Sequence, residues 1–172
     1  RKIYETQPNA SVLLLSCKRS FASAMSAEFK QYKFKNYMDI EMKGDCKKYD
    51  RLICSIESLK YCREYYDYLI IDESESIAVN IIGGMNMKNS PVDNMLKFYN
   101  LVNNCEKVFV MDAYLCNRSK DMINDCLRSH RKTIYILNEY KPQKRYIKKV
   151  GERKLVKDLQ SRIDSKKECV FV

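Results

Sequence analysis

The sequence predicts an α/β fold that is built on a parallel β-sheet. Short apolar runs alternate along the 172 residues with segments of helical periodicity. The runs are continuous rather than alternating between apolar and polar residues, which suits strands that are covered on both faces. Strands that alternate with helices form parallel sheets with right-handed crossover connections. Ligands bind to such sheets at the carboxyl ends of the strands, so the residues that follow each strand are the first to consider as a site.

The predicted strands are short and apolar, and several are followed by polar residues. They are VLLLS (12–16), RLICS (51–55), YLIID (68–72), KVFVMD (107–112), KTIYIL (132–137) and CVFV (169–172). Ser16, the pair Asp72 and Glu73, and Asp112 fall at the ends of three different strands. Strand ends are often polar without any functional role, so this pattern by itself leaves both interpretations open.

The helices are predicted where apolar residues recur every three or four positions. One begins just after Pro91, because proline is favoured in the first turn of a helix. The apolar stripes of the three clearest segments are Phe21, Met25 and Phe29; Val92, Met95, Leu96, Tyr99 and Val102; and Leu155, Val156, Leu159 and Ile163.

A basic stretch near the C-terminal end is the best candidate for a domain boundary. NEYKPQKRYIKKVGERK (138–154) contains a proline, a glycine and many cations. We expect a first domain over residues 1–140, a linker over 141–151 and the beginning of a second domain over 152–172. The chain begins at Arg1 without a methionine, so we expect it to be a piece of a longer protein.

The charge balance favours a polyanionic partner. The chain has 32 Lys and Arg residues against 22 acidic residues, which gives a net charge of +10. Nucleic acid is the commonest partner of so basic a domain. The alternative is a basic surface that is simply solvated.

The cysteines and the hydropathy pattern indicate a reducing intracellular compartment. None of the 8 cysteines falls in a CxxC pair, and their spacing supports neither a disulfide framework nor a zinc site. The single histidine, His130, lies in a charged stretch and is expected to be solvated. No apolar run approaches the ~18 residues that a membrane span requires, so no membrane association is expected.

The stretch YDYLIIDESES (66–76) ends an apolar strand on paired carboxylates, which has two explanations. Acidic residues are favoured at the N-terminus of any helix. A hydrophobic strand that ends in Asp-Glu is also typical of a magnesium site for a nucleotide, since Mg²⁺ prefers oxygen ligands and keeps several waters. In that case Asp72 holds the ion through water, and the catalytic Glu73 orients or deprotonates the water that attacks the γ-phosphate.

Several blocks of the sequence together resemble the helicase core of the herpesvirus-type replication-origin-binding proteins, which are superfamily 2 DNA helicases. The blocks are VLLLSCKRSF, RLICSIESLKYCREYYDYLIIDESESI, SPVDNML, VFVMDAYLCNRS and NEY, and they extend over about residues 10–150. The resemblance implies a RecA-like P-loop NTPase motor domain that is incomplete at its N-terminus, followed by the start of a second RecA-like domain. It implies ATP and Mg²⁺ as cofactors and DNA, single-stranded or at a replication origin, as a partner, with other replication proteins as further candidates.

The resemblance also implies roles for individual residues. SCKRSF matches motif Ia, which makes Ser16, Lys18, Arg19 and Ser20 candidate contacts to DNA phosphates. SIESL matches motif Ib, with Ser55 and Ser58 as candidates. Taken as bare sequence, Ser20 could instead be a helix N-cap beside two solvated cations, and Ser55 and Ser58 could be capping residues.

DESE (72–75) matches motif II, and MDAYL (111–115) stands in the place of motif III. Asp112 and Ala113 would then couple the nucleotide state to the grip on DNA, although Asp112 alone reads as a plain strand-end residue. The phosphate-binding loop GxxxxGK[ST] does not occur in the 172 residues. The arginine-finger motifs of the family belong to the second domain. We therefore expect this chain alone to hydrolyse ATP poorly or not at all.

The first interpretation is thus an ATP-dependent DNA helicase of viral-type replication, working in the host nucleus or at a cytoplasmic replication site. The alternative is a non-catalytic nucleic-acid-binding or replication-assembly module with a helicase-like fold. A small-molecule α/β enzyme comes last, because the sequence has neither a glycine-rich cofactor loop nor a nucleophile constellation.

Overall fold

The computed structural model describes residues 2–83, 91–127 and 131–136, together with residues 154, 156, 157, 160 and 161. The chain divides into two compact units, residues 1–132 and 133–172. The strands and helices given below all belong to the first unit. Within the described part of the chain, no helix is long and apolar enough to cross a membrane.

The first unit is built on a five-stranded sheet, which confirms the predicted α/β class. Its strands are β1 (Val12–Ser16), β2 (Lys35–Asn36), β3 (Arg51–Ser55), β4 (Tyr68–Ile71) and β5 (Lys107–Val110). All neighbouring pairs are parallel, in the order β2-β3-β1-β4-β5. Every residue of β1 and β3 is buried, as expected for continuous apolar runs in the middle of a covered parallel sheet.

Five helices accompany the sheet among the described residues: α1 (Lys2–Thr6), α2 (Arg19–Glu28), α3 (Ser74–Gly83), α4 (Pro91–Asn104) and α5 (Asn117–Cys126). The structure confirms the helix that was predicted to begin just after Pro91, since Pro91–Asn104 is helical. It also confirms the helix that was predicted around Met25, where the backbone N–H of Phe29 closes the last turn on the carbonyl of Met25.

The buried face of α4 differs from the predicted stripe. Val92, Met95, Leu96 and Tyr99 are exposed, and of that stripe only Val102 is buried. The helix instead buries Asn94, Lys97, Phe98, Leu101 and Val102. The prediction was wrong because both faces of the helix carry apolar residues, and tertiary contacts decided between them. Asn94 and Lys97 are tolerated in the interior because both have partners, the backbone at Glu57 and Lys60 for Asn94 and the Glu64 carboxylate for Lys97.

The structure differs from the predicted strands in two places. It adds β2, which was not predicted because two residues of the composition Lys-Asn carry no strand signal. The predicted strand KTIYIL is not a strand over its described residues 132–136, where Ile134 and Ile136 are largely exposed. An apolar, β-branched composition is compatible with a strand, but a strand forms only where a neighbour pairs with its backbone.

The remaining C-terminal predictions are only partly covered by the described residues. Residues 154, 156, 157, 160 and 161 are helical, in agreement with a helix near 152–165. The predicted strand 169–172, His130 and the whole predicted linker 141–151 lie outside the described residues.

Candidate functional site

The sheet register brings the ends of neighbouring strands to the same level. Ser16 of β1 lies beside Ser55 of β3, and Leu15 lies beside Ile71, the last residue of β4. Ile71 in turn lies beside Val110 of β5. The loops that follow these four strands therefore leave the sheet at one edge, and they carry the candidate residues after 16, 55, 71 and 110.

Asp72 is the first residue beyond β4, and its backbone N–H still donates to the carbonyl of Leu15 at 3.1 Å. Its carboxyl is half-buried at the sheet edge. Burial raises the pKa of Asp72, and the nearby carboxylates of Glu73 and Asp112 add to this effect. Both causes disfavour an isolated negative charge, so a cation bound here would stabilise the ionised form.

Glu73 occupies the sharp turn from β4 into α3. Its φ of 52° lies in the left-handed region, which is uncommon for a residue with a side chain. The turn is fixed on both sides, because the N–H of Ile77 donates to the Glu73 carbonyl at 3.1 Å and the N–H of Asp72 is held by β1. The hydrogen bonds thus fix the backbone of Glu73, and with it the starting point of its side chain, at the carboxyl end of β4.

The Glu73 carboxylate is contacted by two residues of the loop after β1. The Cys17 thiol donates to Oε2 at 3.3 Å, and the Lys18 ammonium lies 3.4 Å from the same oxygen. Burial, followed by the hydrogen bond to Glu73, raises the pKa of the Cys17 thiol. The thiol therefore stays protonated near neutral pH and remains a donor. Sequence reasoning assigned no role to Cys17.

The loop after β1 is shaped by Ser16. Its buried hydroxyl accepts from the N–H of Lys18 at 3.2 Å and lies 3.4 Å from the Lys18 carbonyl. Helix α2 begins directly afterwards at Arg19, and its N-cap residue Lys18 makes no side-chain capping bond. The alternative in which Ser20 is the N-cap is therefore wrong. Lys18, Arg19 and Ser20 are exposed at the start of α2, where a helix N-terminus favours anions.

The loop after β3 continues into a 3-10 segment, Ile56–Tyr61. Ser55 precedes it and makes no side-chain capping bond, so the capping alternative fails for this residue. Its buried hydroxyl has no hydrogen-bond partner among the described residues, and Ser58 is half-buried within the segment.

The side chain of Asn94 in α4 makes two hydrogen bonds to the backbone of this 3-10 segment. Its Oδ1 accepts from the N–H of Lys60 at 2.8 Å, and its Nδ2 donates to the carbonyl of Glu57 at 3.0 Å. The side chain is fully buried. Asn94 was missed as an anchoring residue, although it lies in the block SPVDNML that contributes to the family resemblance.

Asp112 is more than a strand-end residue. Its Oδ2 accepts from the N–H of Glu75 at 2.9 Å, and its Oδ1 accepts from the N–H of Tyr114 at 2.8 Å. In the opposite direction, Oε1 of Glu75 accepts from the N–H of Cys116 at 2.9 Å. Hydrogen bonding from Cys116, reinforced by Ser119, lowers the pKa of Glu75 to about 2. The neighbouring Ala113 is exposed.

These loops and strands fall within a single sequence match. The family described as "Origin of replication binding protein" matches residues 2–150. The chain belongs to this family.

Relatives within the origin-binding-protein family come from large DNA viruses. A "Putative replication origin-binding protein" of Acanthamoeba polyphaga mimivirus is 32% identical over 175 residues, which cover 94% of this chain and 20% of the relative. The "Replication origin-binding protein" of Human herpesvirus 7 (strain JI) is 30% identical over 131 residues, or 76% of this chain and 16% of the relative. The "Replication origin-binding protein" of Human herpesvirus 6A (strain Uganda-1102) is 36% identical over 108 residues, which cover 61% of this chain and 13% of the relative.

The chain thus spans a fifth or less of the length of these origin-binding-protein relatives. No solved structure matches it. The five-stranded parallel sheet is compatible with a RecA-like fold. The DESE and MDAYL segments of this family member begin directly after the adjacent strands β4 and β5.

The described residues of this origin-binding-protein family member contain no group of three or more His, Cys, Asp or Glu side chains that could hold a metal ion. A magnesium ion that is held through water by Asp72 would not require such a group. The roles of Asp72 and Glu73 toward Mg²⁺ and ATP therefore stay predictions.

Proposed function

We propose that the chain is part of an ATP-dependent DNA helicase that acts at viral replication origins. Its membership of the origin-binding-protein family and the names of its viral relatives support the replication role. The observation that carries the motor activity is the juxtaposition of Glu73 with Lys18. It joins a carboxylate typical of nucleotide hydrolysis to the N-terminus of α2, where the adjacent cations Lys18 and Arg19 suit phosphate binding.

In this proposal, each strand-end loop has a separate task. Asp72 would hold Mg²⁺ through water, and a bound ion would supply positive charge toward the phosphates of the nucleotide. Glu73 orients the attacking water and accepts its proton. Lys18, Arg19 and Ser20 at the start of α2, with Ser55 and Ser58 after β3, hold the DNA backbone. Ser16 keeps the first of these loops in shape through its bonds to Lys18.

The loop after β5 transmits the nucleotide state. Asp112 lies close enough to Asp72 to contribute to its raised pKa, and it also holds the N-terminus of α3 through Glu75. A change of charge at Asp72 therefore changes the electrostatic interaction with Asp112, in the segment that also contains Ala113. This is the physical basis for a coupling role of that segment.

The substitution Glu73→Gln, made in the full-length protein that carries these residues, tests the proposal. It keeps the size of the side chain and removes the proton acceptor, so we expect DNA-stimulated ATP turnover to fall by about 10²-fold or more. Binding of ATP, measured with a fluorescent analogue, should remain. Glu28→Gln, an exposed carboxylate at the end of α2, is the matched control and should leave turnover unchanged. Equal turnover in wild type and Glu73→Gln would reject the assigned role.

A second candidate is a non-catalytic module that binds nucleic acid or assembles replication proteins. The contacts of Glu73 favour it in one respect, because a carboxylate held by Cys17 and Lys18 is not free to polarise water. The same experiment separates the two functions. A full-length protein that binds DNA without any turnover dependent on Glu73 would support the module.

A further inference from the structure

Both side chains that contact Glu73 come from one loop. Cys17 and Lys18 lie between the end of β1 and the start of α2, and both reach Oε2 of the carboxylate. The same loop leads into the exposed residues Arg19 and Ser20. The proposed hydrolytic carboxylate and the proposed DNA contact thus share one cation, the ammonium of Lys18.

We propose that Lys18 is a DNA-responsive latch on Glu73. Without DNA, its ammonium holds the carboxylate and reduces its ability to polarise water. A DNA phosphate at the start of α2 draws the ammonium away and leaves the carboxylate free. This inference rests on the proposed role of Glu73 and adds to it the means by which DNA stimulates turnover.

The exposure of the pair suits a reversible contact. The Lys18 side chain is 61% exposed and that of Glu73 is 38% exposed, so water and salt screen their attraction. A buried ion pair would cost too much to open, because each separated charge would lack a solvent shell. An exposed pair has no such barrier, and a phosphodiester competes directly for the same ammonium.

Cys17 has a different part in this arrangement. Its neutral thiol donates to the same oxygen without neutralising the charge, and its raised pKa keeps it protonated. The Glu73 backbone is fixed in the turn between β4 and α3, at a φ of 52°. When Lys18 leaves, the carboxylate therefore keeps its position and becomes accessible to a water molecule.

The test uses the full-length protein and compares ATP turnover with and without single-stranded DNA. Lys18→Met should raise DNA-free kcat about two- to fivefold, the range expected from losing one exposed ion pair, with KM for ATP unchanged. Lys18→Arg keeps a cation and should restore the low DNA-free rate. Raising the salt concentration should increase DNA-free kcat in wild type but not in Lys18→Met. Lys47→Met removes an exposed cation elsewhere and should behave as wild type.

The outcomes distinguish this inference from the proposed function. If turnover depends on Glu73, but the DNA-free kcat of Lys18→Met is equal to or lower than that of wild type, the latch is overturned and the motor function stands. Turnover that does not respond to Glu73→Gln would overturn both. Unchanged thermal unfolding of Lys18→Met, together with rescue by Lys18→Arg, separates the effect from a loss of folded protein.

Discussion

Glu75 and Asp112 hold each other's segments through reciprocal hydrogen bonds. Asp112 accepts from the backbone N–H of Glu75 at 2.9 Å, and Glu75 accepts from the N–H of Cys116, four residues beyond Asp112, also at 2.9 Å. Each carboxylate satisfies N–H groups that a helix or turn leaves without an internal partner. The loop after β5 and the N-terminus of α3 are therefore one connected unit beside Asp72 and Glu73.

Breaking this unit at Asp112 should uncouple nucleotide and DNA binding. Asp112→Ala removes the acceptor of two N–H groups and should lower the free energy of unfolding by about 1–2 kcal/mol. In the full-length protein, we expect the difference in DNA affinity between the nucleotide-free and ATP-analogue-bound states to shrink. Fluorescence anisotropy with labelled single-stranded DNA measures it. Asp112→Asn keeps one acceptor oxygen, so its difference in DNA affinity should lie between those of wild type and Asp112→Ala. An unchanged difference in Asp112→Ala would contradict the coupling role.

The low pKa of Glu75 predicts a pH dependence of stability. Its folded pKa of about 2 lies below the ordinary value of 4.5, so the folded state favours the ionised form. The resulting stabilisation is fully present above about pH 4.5 and is lost as the pH falls toward 2. Because solvent screens this partly exposed group, we expect about 1 kcal/mol rather than the full linkage value.

Urea unfolding of wild type and Glu75→Gln between pH 2 and 7 measures this contribution. The two curves should lie apart at neutral pH and converge at low pH. Glu28→Gln, on the exposed end of α2, controls for the general effect of removing one negative charge. A constant separation over the whole range would show that the hydrogen bonds to Glu75 do not favour its ionised form.

Asn94 should matter for both stability and DNA binding. Asn94→Ala removes the two hydrogen bonds to the N–H of Lys60 and the carbonyl of Glu57, which should cost about 2 kcal/mol in the free energy of unfolding. The 3-10 segment that carries Ser58 would lose its lateral support, so affinity for single-stranded DNA should also decrease. Asn100→Ala, at an exposed position of the same helix, is the matched control. Loss of stability with undiminished DNA affinity would remove this segment from the DNA interface.

The strands that dominate the core could be read from sequence, because their residues are apolar without interruption. β1 and β3 have the predicted bounds, and β4 and β5 end one and two residues before them. Parallel pairing followed from the alternation with helices, and it implied that Ser16, Asp72 and Asp112 would lie at one edge. The family resemblance was likewise contained in local blocks, and the family match confirms its coarser part, membership of the origin-binding-protein family.

The helix faces and the side-chain contacts could not be read in the same way. The face of α4 was decided by its packing on the segment 56–61, where Asn94 and Lys97 found partners that periodicity cannot reveal. The contacts of Glu73 with Cys17 and Lys18 join residues 55 or more positions apart, and those between Glu75 and Asp112 join residues 37 apart.

The sequence by itself therefore determined where β1, β3, β4 and β5 form, that they run parallel and which carboxylates follow them, since local apolar runs and their spacing specify these features. Only the tertiary structure decided what those carboxylates touch. A side-chain contact depends on the loop conformation after each strand, such as the left-handed turn at Glu73 and the hydroxyl-closed turn at Ser16. Such conformations are set by hydrogen bonds between segments that are distant in the chain.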